Sequence, residues 1–578
     1  MSKILNHRTA ALTVATTGAL ASALLLTSND TVASSSEKGV LVRPQPPVGA
    51  PLIDLDATQL DLFDTGKALY ATPIEVEDGL GPVLNKSNCR SCHSNPDGGP
   101  GNIAVTHFGL LDKKSEDGFV ELPGGTLLQL VAIIDPSGDE PSCAEVLPPE
   151  ANFTTNRITP GMLGYGLVEA IPDSAIAANA DPADGDGDGI SGRVHWVEDL
   201  AAPAGSPLRA GRFGWKSIIA TIEHFSGDAS LMEMGITNQV LGEETAPNGD
   251  MALLAACDEY ADPEDHPDED GFTFVDRVTH FQRYLAAPPQ APRSGMAGEA
   301  VFTSLGCAAC HTPSFTTSND PSLEFAIRNR VVRPYSDFLL HDMGTLGDGL
   351  PQGDATGNEF RTTPLMGVAR RLSMLHDGRI SGGTIDDRLR GAILAHGPLG
   401  EAAASAAAFQ KLTKDDEFEL FRFLRSLGRA DFDFNDDDSI DLADWNVFLD
   451  CRDVTGIGPD TTCGIGDIDQ DGDADADDLQ SFLEAYSGEN GDCDGDGTTD
   501  LEEIFFGAPD ADQDGVPDDC PPPCVGDFNG DGNVNGADLG LMIAAWGSCS
   551  GCPEDLNGDG VVNGADLGLM IAGWGACP

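Results

Sequence analysis

Two pentads of the form Cys-x-x-Cys-His constrain this chain more than any other feature. In an exported protein this pentad is the attachment signal for a c-type haem, because its thiols add to the porphyrin vinyl groups and its histidine binds the iron. A zinc half-site or a thioredoxin-like pair is the alternative, and neither explains two pentads in one chain. We therefore expect two covalently bound haem c groups. The residues that would hold them are Cys89, Cys92 and His93 in the first pentad and Cys307, Cys310 and His311 in the second.

The sequence around the second pentad has the periodicity of helices. Ala297, Val301 and Leu305, ahead of the pentad, fall on one face of a helix. The stretch 413–428 starts with a capping Thr and acidic residues, repeats apolar residues every three or four positions and ends at Gly428. A helix, a pentad and a closing helix together indicate a small α-helical haem domain.

Residues 1–33 have the order of a secretory signal peptide. Lys3 and Arg8 give a positive start, an apolar and small-residue run extends to Leu26, and Thr-Val-Ala at 31–33 suits a signal peptidase. A single membrane anchor is the alternative; no later segment has the ~20 continuous apolar residues that a membrane helix needs. We expect cleavage and export to the periplasm, the cell surface or the extracellular space, with no transmembrane span afterwards.

Export leads to an oxidising compartment, in which disulfides persist. Of the 14 cysteines, the pentads use four and leave ten, an even number. Two near-identical repeats at the C-terminal end carry cysteines at equal spacing, so we expect a bridge within each spaced pair. The expected pairs are Cys524 with Cys549 and Cys552 with Cys577; Cys143 with Cys257 is a further pair that the count permits.

The acidic side chains are concentrated at the C-terminal end. The chain has 95 acidic and 32 basic residues, and residues 431–578 hold 37 of the acidic ones against the single base Arg452. Such a surface repels nucleic acid and anionic membranes, so we exclude both as partners. An acidic segment is either a disordered tail or a metal-loaded region, and the spacing of its acids distinguishes the two.

The acids of residues 429–578 recur at fixed spacing, as in a repeat array. Oxygen-bearing side chains at positions 1, 3, 5, 9 and 12 of a loop are typical of an EF-hand-type calcium site. A disordered tail does not explain five such loops. The predicted calcium ligands are Asp433, Asn435, Asp437, Ser439, Asp441 and Asp444; Asp467, Asp469, Asp471, Asp475 and Asp478; Asp492, Asp494, Asp496, Asp500 and Glu503; Asp527, Asn529, Asp531, Asn535 and Asp538; Asp555, Asn557, Asp559, Asn563 and Asp566; and, in a separate loop, Asp184, Asp186 and Asp188.

The last two repeats are nearly identical. They read "DFNGDGNVNGADLGLMIAAWG" and "DLNGDGVVNGADLGLMIAGWG", with a period of 28 residues. They resemble dockerin type I repeats, in which a short helix follows each calcium loop. The resemblance implies docking on a cohesin-like partner; a stalk or a cell-surface attachment module is the alternative.

Several stretches between residues 60 and 428 occur in a specific order, among them "RITPGMLGYGLVEAIPD", "DGDGDGISGRV", "GRFGWKS", "EMGITN", "FRTTPLMG" and "AILAHG". In this order they resemble the bacterial di-haem cytochrome c peroxidase superfamily, most closely its di-haem oxidoreductase branch, also labelled thiol oxidoreductase. The resemblance implies a mainly α fold of two cytochrome-c-like helical haem domains, here followed by the EF-hand-like loops. The expected order is a signal peptide at 1–33, a linker at 34–50, haem domains at 51–285 and 296–428, acidic calcium repeats at 429–519 and a dockerin-like pair at 520–578.

The same resemblance implies a six-coordinate, electron-donating C-terminal haem. The segment that usually supplies a distal Met has His396 instead, so His396 is the predicted sixth ligand. Met343 and His341 are the rival ligands, and a solvated histidine at a helix end is the structural alternative for His396. His376 matches a histidine that lies close to this haem in the superfamily.

The resemblance makes the N-terminal haem the peroxidatic one. Glu233 matches the distal acid that moves protons between the peroxide oxygens, and a surface Glu on a helix is the alternative. Trp215 is predicted either to lie between the two haems or to be a core residue.

Three functions follow from these observations. The preferred one is an exported peroxidase-like oxidoreductase that takes electrons from a small redox donor protein and reduces hydrogen peroxide or oxidises another small substrate. The second is a tethered electron carrier without peroxidase turnover. The third is a redox module that the tail directs to a carbohydrate-degrading complex.

Overall fold

The structure is a computed structural model of the 578-residue chain. It describes residues 42–115, 118–133, 143–258, 260–520, 524–529, 531–549 and 551–577. The predicted signal peptide at 1–33 and the first part of the predicted linker lie outside the described residues. The helices within these ranges are too short or too polar to cross a membrane.

Helices form the framework of the two predicted haem domains, residues 51–285 and 296–428, which we call the first and second haem units. Helices also follow the loops of the acidic repeats. Their bounds are α1 Ala57–Ala71, α2 Tyr165–Glu169, α3 Asp173–Ala177, α4 Ile222–Met234, α5 Met251–Cys257, α6 Phe274–Tyr284, α7 Ala297–Ser304, α8 Ile385–Ala395, α9 Ala403–Phe409, α10 Lys414–Ser426, α11 Leu442–Cys451, α12 Ala476–Ala485, α13 Asp500–Phe505, α14 Gly536–Ala544 and α15 Gly564–Ala572.

Most strands are two or three residues long and pair in twos. Their bounds are β1 Val83–Leu84, β2 Ala104–Leu111, β3 Phe119–Val120, β4 Leu127–Leu128, β5 Val131–Ala132, β6 Phe153–Ile158, β7 Trp196–Val197, β8 Arg209–Ala210, β9 Phe315–Thr316, β10 Val331–Val332, β11 Leu340–Asp342, β12 Glu359–Arg361, β13 Ser373–Met374, β14 Ile380–Ser381, β15 Asn533–Val534, β16 Gly547–Ser548, β17 Val561–Val562 and β18 Gly575–Ala576.

Each haem unit is built on two helices that cross at a glycine. In the first unit α1 packs on α6, and a Cβ on Gly66 would lie 2.3 Å from the carbonyl oxygen of Arg277. In the second unit α7 packs on α10, and a Cβ on Gly298 would lie 2.1 Å from the carbonyl oxygen of Glu419. A side chain at either position would push the helices apart, which explains why glycine stands there.

Both pentads form a 3-10 turn beside the first of these crossing helices. The turns are Cys89–Ser91, against α1, and Cys307–Ala309, against α7. The backbone N–H of His93 donates to the Cys89 carbonyl at 3.1 Å, and that of His311 donates to the Cys307 carbonyl at 2.9 Å. The turn therefore brings the thiols and the imidazole of each pentad to the wall of one cavity.

The first haem unit contains a sheet that the helical prediction lacks. Strand β2 is its centre and pairs antiparallel with β3, β4 and β6, so that His107 lies opposite Leu127 on one side and Thr155 on the other. The prediction of a mainly α fold is therefore only partly confirmed. The strands form because the β-branched and aromatic residues of "AVTHFGLL" and "FTTNRI" favour extended backbone. The prediction, which was based on the pentads, did not include this preference.

The described part of the predicted linker is packed rather than free. Val42 lies against the apolar core of the acidic repeats. The backbone N–H of Gln45 donates to Asp431 at 2.8 Å, and its side-chain amide donates to the carbonyl of Gln290 at 3.0 Å. Residues 42–50 therefore join the haem units to the first acidic repeat.

The acidic repeats enclose an aromatic core. The rings of Phe448 and Phe482 stack at 5.0 Å, and Trp445 is fully buried. In the first loop the carboxylate of Asp444 accepts the backbone N–H of Phe434 at 2.8 Å and that of Asp441 at 3.1 Å. The last acid of the loop thus closes it and caps α11 at the same time.

The disulfides of the last two repeats differ from the predicted pairs. The prediction of Cys524–Cys549 and Cys552–Cys577 is wrong, since the structure joins Cys524 to Cys577 and Cys549 to Cys552. The two repeats pair reciprocally, with β15 on β18 and β16 on β17, so the end of one repeat lies beside the start of the other. Equal spacing in sequence does not reveal this pairing. The remaining bridges are Cys143–Cys257, as the count permitted, Cys451–Cys463 and Cys493–Cys520.

Candidate haem sites

The second pentad faces a cavity of about 210 Å³, which we call the C-terminal cavity. Cys307, Cys310 and His311 line it together with apolar side chains from α7, α8 and α10. The Nδ1 of His311 lies 2.8 Å from the carbonyl oxygen of Tyr335, which accepts its proton and leaves Nε2 as the lone-pair nitrogen. Burial lowers the pKa of His311 to about 4, so the imidazole is in its neutral, metal-binding form.

His396 lines the same cavity from the C-terminal end of α8. Its Nδ1 lies 2.8 Å from the carbonyl oxygen of Ala392, so Nε2 is again the lone-pair nitrogen. Burial lowers the pKa of His396, and the charge of its protonated form would lower the pKa of His311. The predicted sixth ligand is therefore a neutral imidazole close to the predicted proximal one.

His341, one of the rival ligands, is held between two carboxylates. Its Nδ1 donates to Glu401 at 2.7 Å and its Nε2 donates to Asp337 at 2.9 Å. Despite its burial, hydrogen bonds to Asp337, Cys310 and Glu401 raise the pKa of His341 to about 12. A doubly protonated imidazolium has no lone pair for a metal, so His341 does not suit an axial position.

Met343 and His376 also line the C-terminal cavity. Met343 packs beside Trp215 and Phe360. His376 stacks on Phe360 with ring centres 4.4 Å apart, and its buried Nε2 has no hydrogen-bond partner among the described residues. Both residues stay candidates for contact with a bound haem.

Replacing His396 with Ala is expected to leave a haem attached to the second pentad and to convert this centre from low to high spin. The reason is that the iron then loses one of its two protein ligands. The measurement is the optical and EPR spectrum of the purified variant, with His341→Gln and Met343→Ala as matched controls that retain the low-spin signal. A low-spin signal that survives in His396→Ala and disappears in Met343→Ala would assign the sixth position to Met343.

The first pentad faces a larger cavity of about 750 Å³, which we call the N-terminal cavity. Cys89, Cys92 and His93 form part of its wall. Burial lowers the pKa of His93 to about 4 against the opposing effect of hydrogen bonds to the backbone of Gly99 and Pro160. A neutral imidazole beside two free thiols is the donor set that a c-type haem needs.

Two further imidazoles line the N-terminal cavity. The Nδ1 of His195 lies 2.8 Å from the carbonyl oxygen of Lys216, and its Nε2 accepts the N–H of Asp354 at 3.1 Å, so both nitrogens are engaged. His107 has one weak contact, 3.4 Å from its Nδ1 to the hydroxyl of Thr126. Burial lowers the pKa of His107 to about 3, which leaves it neutral and able to bind a metal.

Glu233, the predicted acid–base group, lies in the last turn of α4 and lines the N-terminal cavity. The side-chain amide of Asn85 donates to its Oε2 at 2.8 Å. Burial raises the pKa of Glu233 to about 7 against the opposing effect of this hydrogen bond. Burial is the largest cause of the raised pKa of the Cys92 thiol, and the charge of Glu233 is the second largest. The carboxylate of Glu233 therefore lies near the first pentad.

Asp228 lines the N-terminal cavity one and a half helical turns before Glu233. Burial raises the pKa of its carboxyl to about 6. Asp228 is thus a second acid in the same wall, and its charge in turn raises the pKa of Glu233.

Trp215 lines both cavities. Its Nε1 donates to the carbonyl of Ile158 at 3.0 Å, which fixes the indole. The ring meets those of Phe360 and His376 edge-on, with centres 6.4 and 6.3 Å apart. Trp215 is also 8% exposed and packs as a core residue, and its position between two bound haems stays a prediction.

The residues present fit a haem c in each cavity. Among the described residues the cysteines outside disulfides are Cys89, Cys92, Cys307 and Cys310, which are the four that thioether attachment requires. Each cavity also contains the neutral imidazole of its pentad. The unpartnered Nε2 of His376 is a buried polar atom of the kind that a bound group satisfies.

The acidic loops fit a hard cation such as calcium. Ligand atoms of Asp467, Asp469 and Asp478 lie within 4.8 Å of one another, as do those of Asp184, Asp186 and Asp188. Carboxylates that converge in this way repel one another unless a cation lies between them. In the third repeat Asp500 accepts the backbone N–H of Cys493 at 2.9 Å. In the first loop the equivalent contact is made by Asp444, the last ligand of that loop, with the N–H of Phe434. The third loop therefore closes at Asp500 and is shorter than the predicted spacing, which ends at Glu503.

Several residues of the two sites have no signal in the sequence. Asn85 stands 148 positions from Glu233 along the chain, and its hydrogen bond depends on the fold. His107 lies on a strand that the helical prediction did not contain. Arg361 and Arg371 line the C-terminal cavity, and nothing in their spacing marks them.

Comparison with known families defines the class of the chain. Residues 147–427 match the family model described as "Di-haem oxidoreductase, putative peroxidase". This region contains the second pentad, Glu233 and Trp215, while the first pentad precedes it. Over these residues the chain is therefore similar to the di-haem oxidoreductase family.

The C-terminal end matches a second family model. Residues 525–573 match the dockerin type I domain, so a di-haem oxidoreductase region and a dockerin domain share one chain. No curated protein matches the chain. The crystal structure of a MauG-like protein associated with microbial copper homeostasis is 14% identical, with 67% of this chain and 92% of that chain covered and a TM-score of 0.29.

Proposed function

We propose that the protein is an exported di-haem oxidoreductase that reduces hydrogen peroxide at its N-terminal centre with electrons that enter at its C-terminal centre. The observation that carries the proposal is Glu233, a half-buried residue whose carboxyl group lies in the wall of the N-terminal cavity and has a raised pKa. No ion pair among the described residues includes it. A proton-transfer group is therefore available where the haem of the first pentad would lie.

Haem, when bound, supplies the electron-transfer chemistry of the reaction. Cys89 and Cys92 would hold it covalently in the N-terminal cavity, and His93 would be its protein ligand. Reduction of one hydrogen peroxide to two water molecules consumes two electrons and two protons. The chain itself must move a proton from one peroxide oxygen to the other and admit the remaining protons from solvent.

Glu233 is suited to that proton transfer. With a pKa of about 7, its carboxyl group is present in both forms near neutral pH, so it can accept a proton and return it. Asn85 binds Oε2 and orients the group, while Oε1 has no hydrogen-bond partner among the described residues. Oε1 is thus the atom that holds the transferred proton.

Trp215 supports the proposed path of electrons. It is a wall residue of both cavities, and its indole is held by a hydrogen bond to Ile158. An aromatic side chain in this position shortens the distance that an electron crosses between two bound haems. The neutral pair His311 and His396 would give the C-terminal centre two protein ligands and so confine it to electron transfer.

His107 favours a second candidate function, that of a tethered electron carrier. It is neutral and lines the N-terminal cavity with one weak hydrogen bond. If His107 bound the haem of the first pentad, no position would be left for peroxide. The chain would then only relay electrons between partners.

The dockerin domain supports docking on a cohesin-type partner. Its two repeats expose the same side chains at and just after each helix, with Trp546 and Trp574 each 49% exposed and Ile543 and Ile571 58% and 55% exposed. Exposed aromatic and apolar side chains of this kind mark protein interaction surfaces. The redox region would in this way be positioned near the donor or substrate of a larger assembly.

A turnover assay separates the two candidate functions. The calcium-loaded protein is mixed with a reduced dye and hydrogen peroxide, and dye oxidation is followed together with peroxide loss. The proposal predicts that the protein catalyses the oxidation of the dye and the consumption of peroxide together, with two electrons taken from the dye for each peroxide. Oxidation of the protein by a redox partner without any consumption of peroxide would support the electron carrier instead.

A further inference from the structure

Two arginines in the wall of the C-terminal cavity have no ion-pair partner among the described residues. Arg361, on β12, is 5% exposed, and Arg371 is half-buried. None of the ion pairs of the described residues includes either of them. Both arginines line the same cavity, and burial, followed by the charge of Arg361, lowers the pKa of Arg371 to about 10.

The other deeply buried arginines of the haem units are paired with acids. Arg157 lies 2.6 Å from Asp348, Arg277 lies 2.7 Å from Asp268, and Arg212 contacts Asp173. Arginine stays protonated in proteins, so a buried guanidinium needs an opposite charge to offset its lost hydration. Arg361 and Arg371 therefore differ from the pattern of this chain.

The groups around the pair do not supply that negative charge. The Nε of Arg361 donates to the carbonyl of Gly214 at 2.7 Å, which satisfies one of its N–H groups. Asp337, whose charge raises the pKa of Arg361, forms no ion pair with it and is instead bound to His341 at 2.9 Å. The hydroxyl of Tyr165 is buried without a partner, and the two arginines lower its pKa against the larger effect of burial. The pair thus offers hydrogen-bond donors and positive charge to an anion.

We propose that Arg361 and Arg371 form an anion site that binds the propionate carboxylates of the haem attached to Cys307 and Cys310. The inference rests on the proposed function, because it assumes a haem in this cavity. Apart from the pentad, the cavity wall is mostly apolar, and the propionates are the only charged groups at the edge of a haem. Guanidinium groups bind carboxylates with paired N–H donors, which makes arginine well suited to the task.

The site also affects the ease with which this centre takes up an electron. A guanidinium beside a propionate neutralises its charge. When the guanidinium is removed, the propionate charge is left uncompensated and stabilises the oxidised, more positive centre. The midpoint potential of the C-terminal centre should then fall.

The test is redox potentiometry of the full-length protein in calcium, for the wild type, Arg371→Gln, Arg371→Lys and Arg390→Gln. Arg390 lies on α8, pairs with Glu417 and is absent from the cavity wall, so its substitution is the matched charge control. We expect the potential of the C-terminal centre to fall in Arg371→Gln, to fall less in Arg371→Lys and to stay unchanged in Arg390→Gln. The propionate bending bands in the resonance Raman spectrum should shift only in the two Arg371 variants.

Three outcomes would overturn the inference. One is a potential and a Raman spectrum in both Arg371 variants that match the wild type. The second is a midpoint potential that varies with added phosphate in the wild type but not in the Arg371 variants. This result would assign the site to an exchangeable anion. The third is the absence of covalent haem on a denaturing gel, which would overturn the proposed function as well. Peroxide turnover does not enter the measurement, so an inactive protein with attached haem still tests the arginines.

Discussion

Replacing Glu233 with Gln is expected to lower kcat/KM for hydrogen peroxide by about 10²–10⁴-fold, the usual contribution of a positioned acid–base group. The amide keeps the size of the carboxyl group and can still contact Asn85. It cannot take a proton from one peroxide oxygen and return it to the other. Both haems should stay attached, because Glu233 belongs to neither pentad.

The pH dependence of the wild type should identify the same group. Hydrogen peroxide is neutral near pH 7, so the free enzyme needs the ionised form of Glu233 to accept the first proton. With the pKa of Glu233 raised to about 7, kcat/KM should increase as the pH rises through this value and then level off. In Glu233→Gln the profile should be flat over the same range.

Asp228→Asn is the matched control for this prediction. Asp228 lies on the same helix, lines the same cavity and has a pKa raised to about 6 by burial. We expect the variant to keep kcat/KM within about tenfold of the wild type. A neighbouring charge that transfers no proton should contribute much less than the roughly 10²–10⁴-fold of an acid–base group. If Asp228→Asn lost the activity and Glu233→Gln kept it, the acid–base role would belong to Asp228.

Removing calcium is expected to unfold the dockerin domain while the haem units stay folded. The apolar core of the domain consists of Val534, Met542, Val562 and Met570, which is too small to hold about fifty residues by itself. Metal binding then supplies folding energy. At a calcium concentration a thousandfold above the dissociation constant, each occupied loop adds about 4 kcal/mol.

Hydrogen exchange measures this effect helix by helix. The amides of α14 and α15 should be protected in calcium and should exchange rapidly in a chelator, whereas those of α6 and α10 should stay protected in both. Asp566→Ala should expose the last repeat in calcium, and Glu554→Ala, which removes an acid outside the predicted ligands, should not. Protection of α14 and α15 that persists in the chelator would contradict calcium-dependent folding.

Much of the site could be predicted from short sequence patterns. Each pentad contains both thiols and the histidine that a haem needs, so local sequence alone indicates the two attachment sites. The acids of the last two repeats are set by the spacing of a single loop, and residues 525–573 match a dockerin domain. Glu233 could be found only through a family resemblance, because an isolated Glu on a helix has no local signature.

The rest depended on long-range packing. Asn85 reaches Glu233 across 148 positions of sequence, and Gln45 reaches Asp431 across 386. The bridge between Cys524 and Cys577 follows from the reciprocal pairing of two repeats, which spacing within one repeat does not reveal. Short sequence patterns therefore predict the residues that attach the haems and bind calcium. They do not predict the residues that surround these sites.

The most direct test of the central claim is an EPR spectrum of the calcium-loaded protein, poised with one electron, before and after one equivalent of hydrogen peroxide. An open N-terminal centre predicts a high-spin signal that peroxide consumes, because the cavity beside Glu233 leaves a position for the substrate. Two low-spin signals that peroxide leaves unchanged would contradict the account. They would make the chain a tethered electron carrier, with His107 as the first residue to examine at the N-terminal haem.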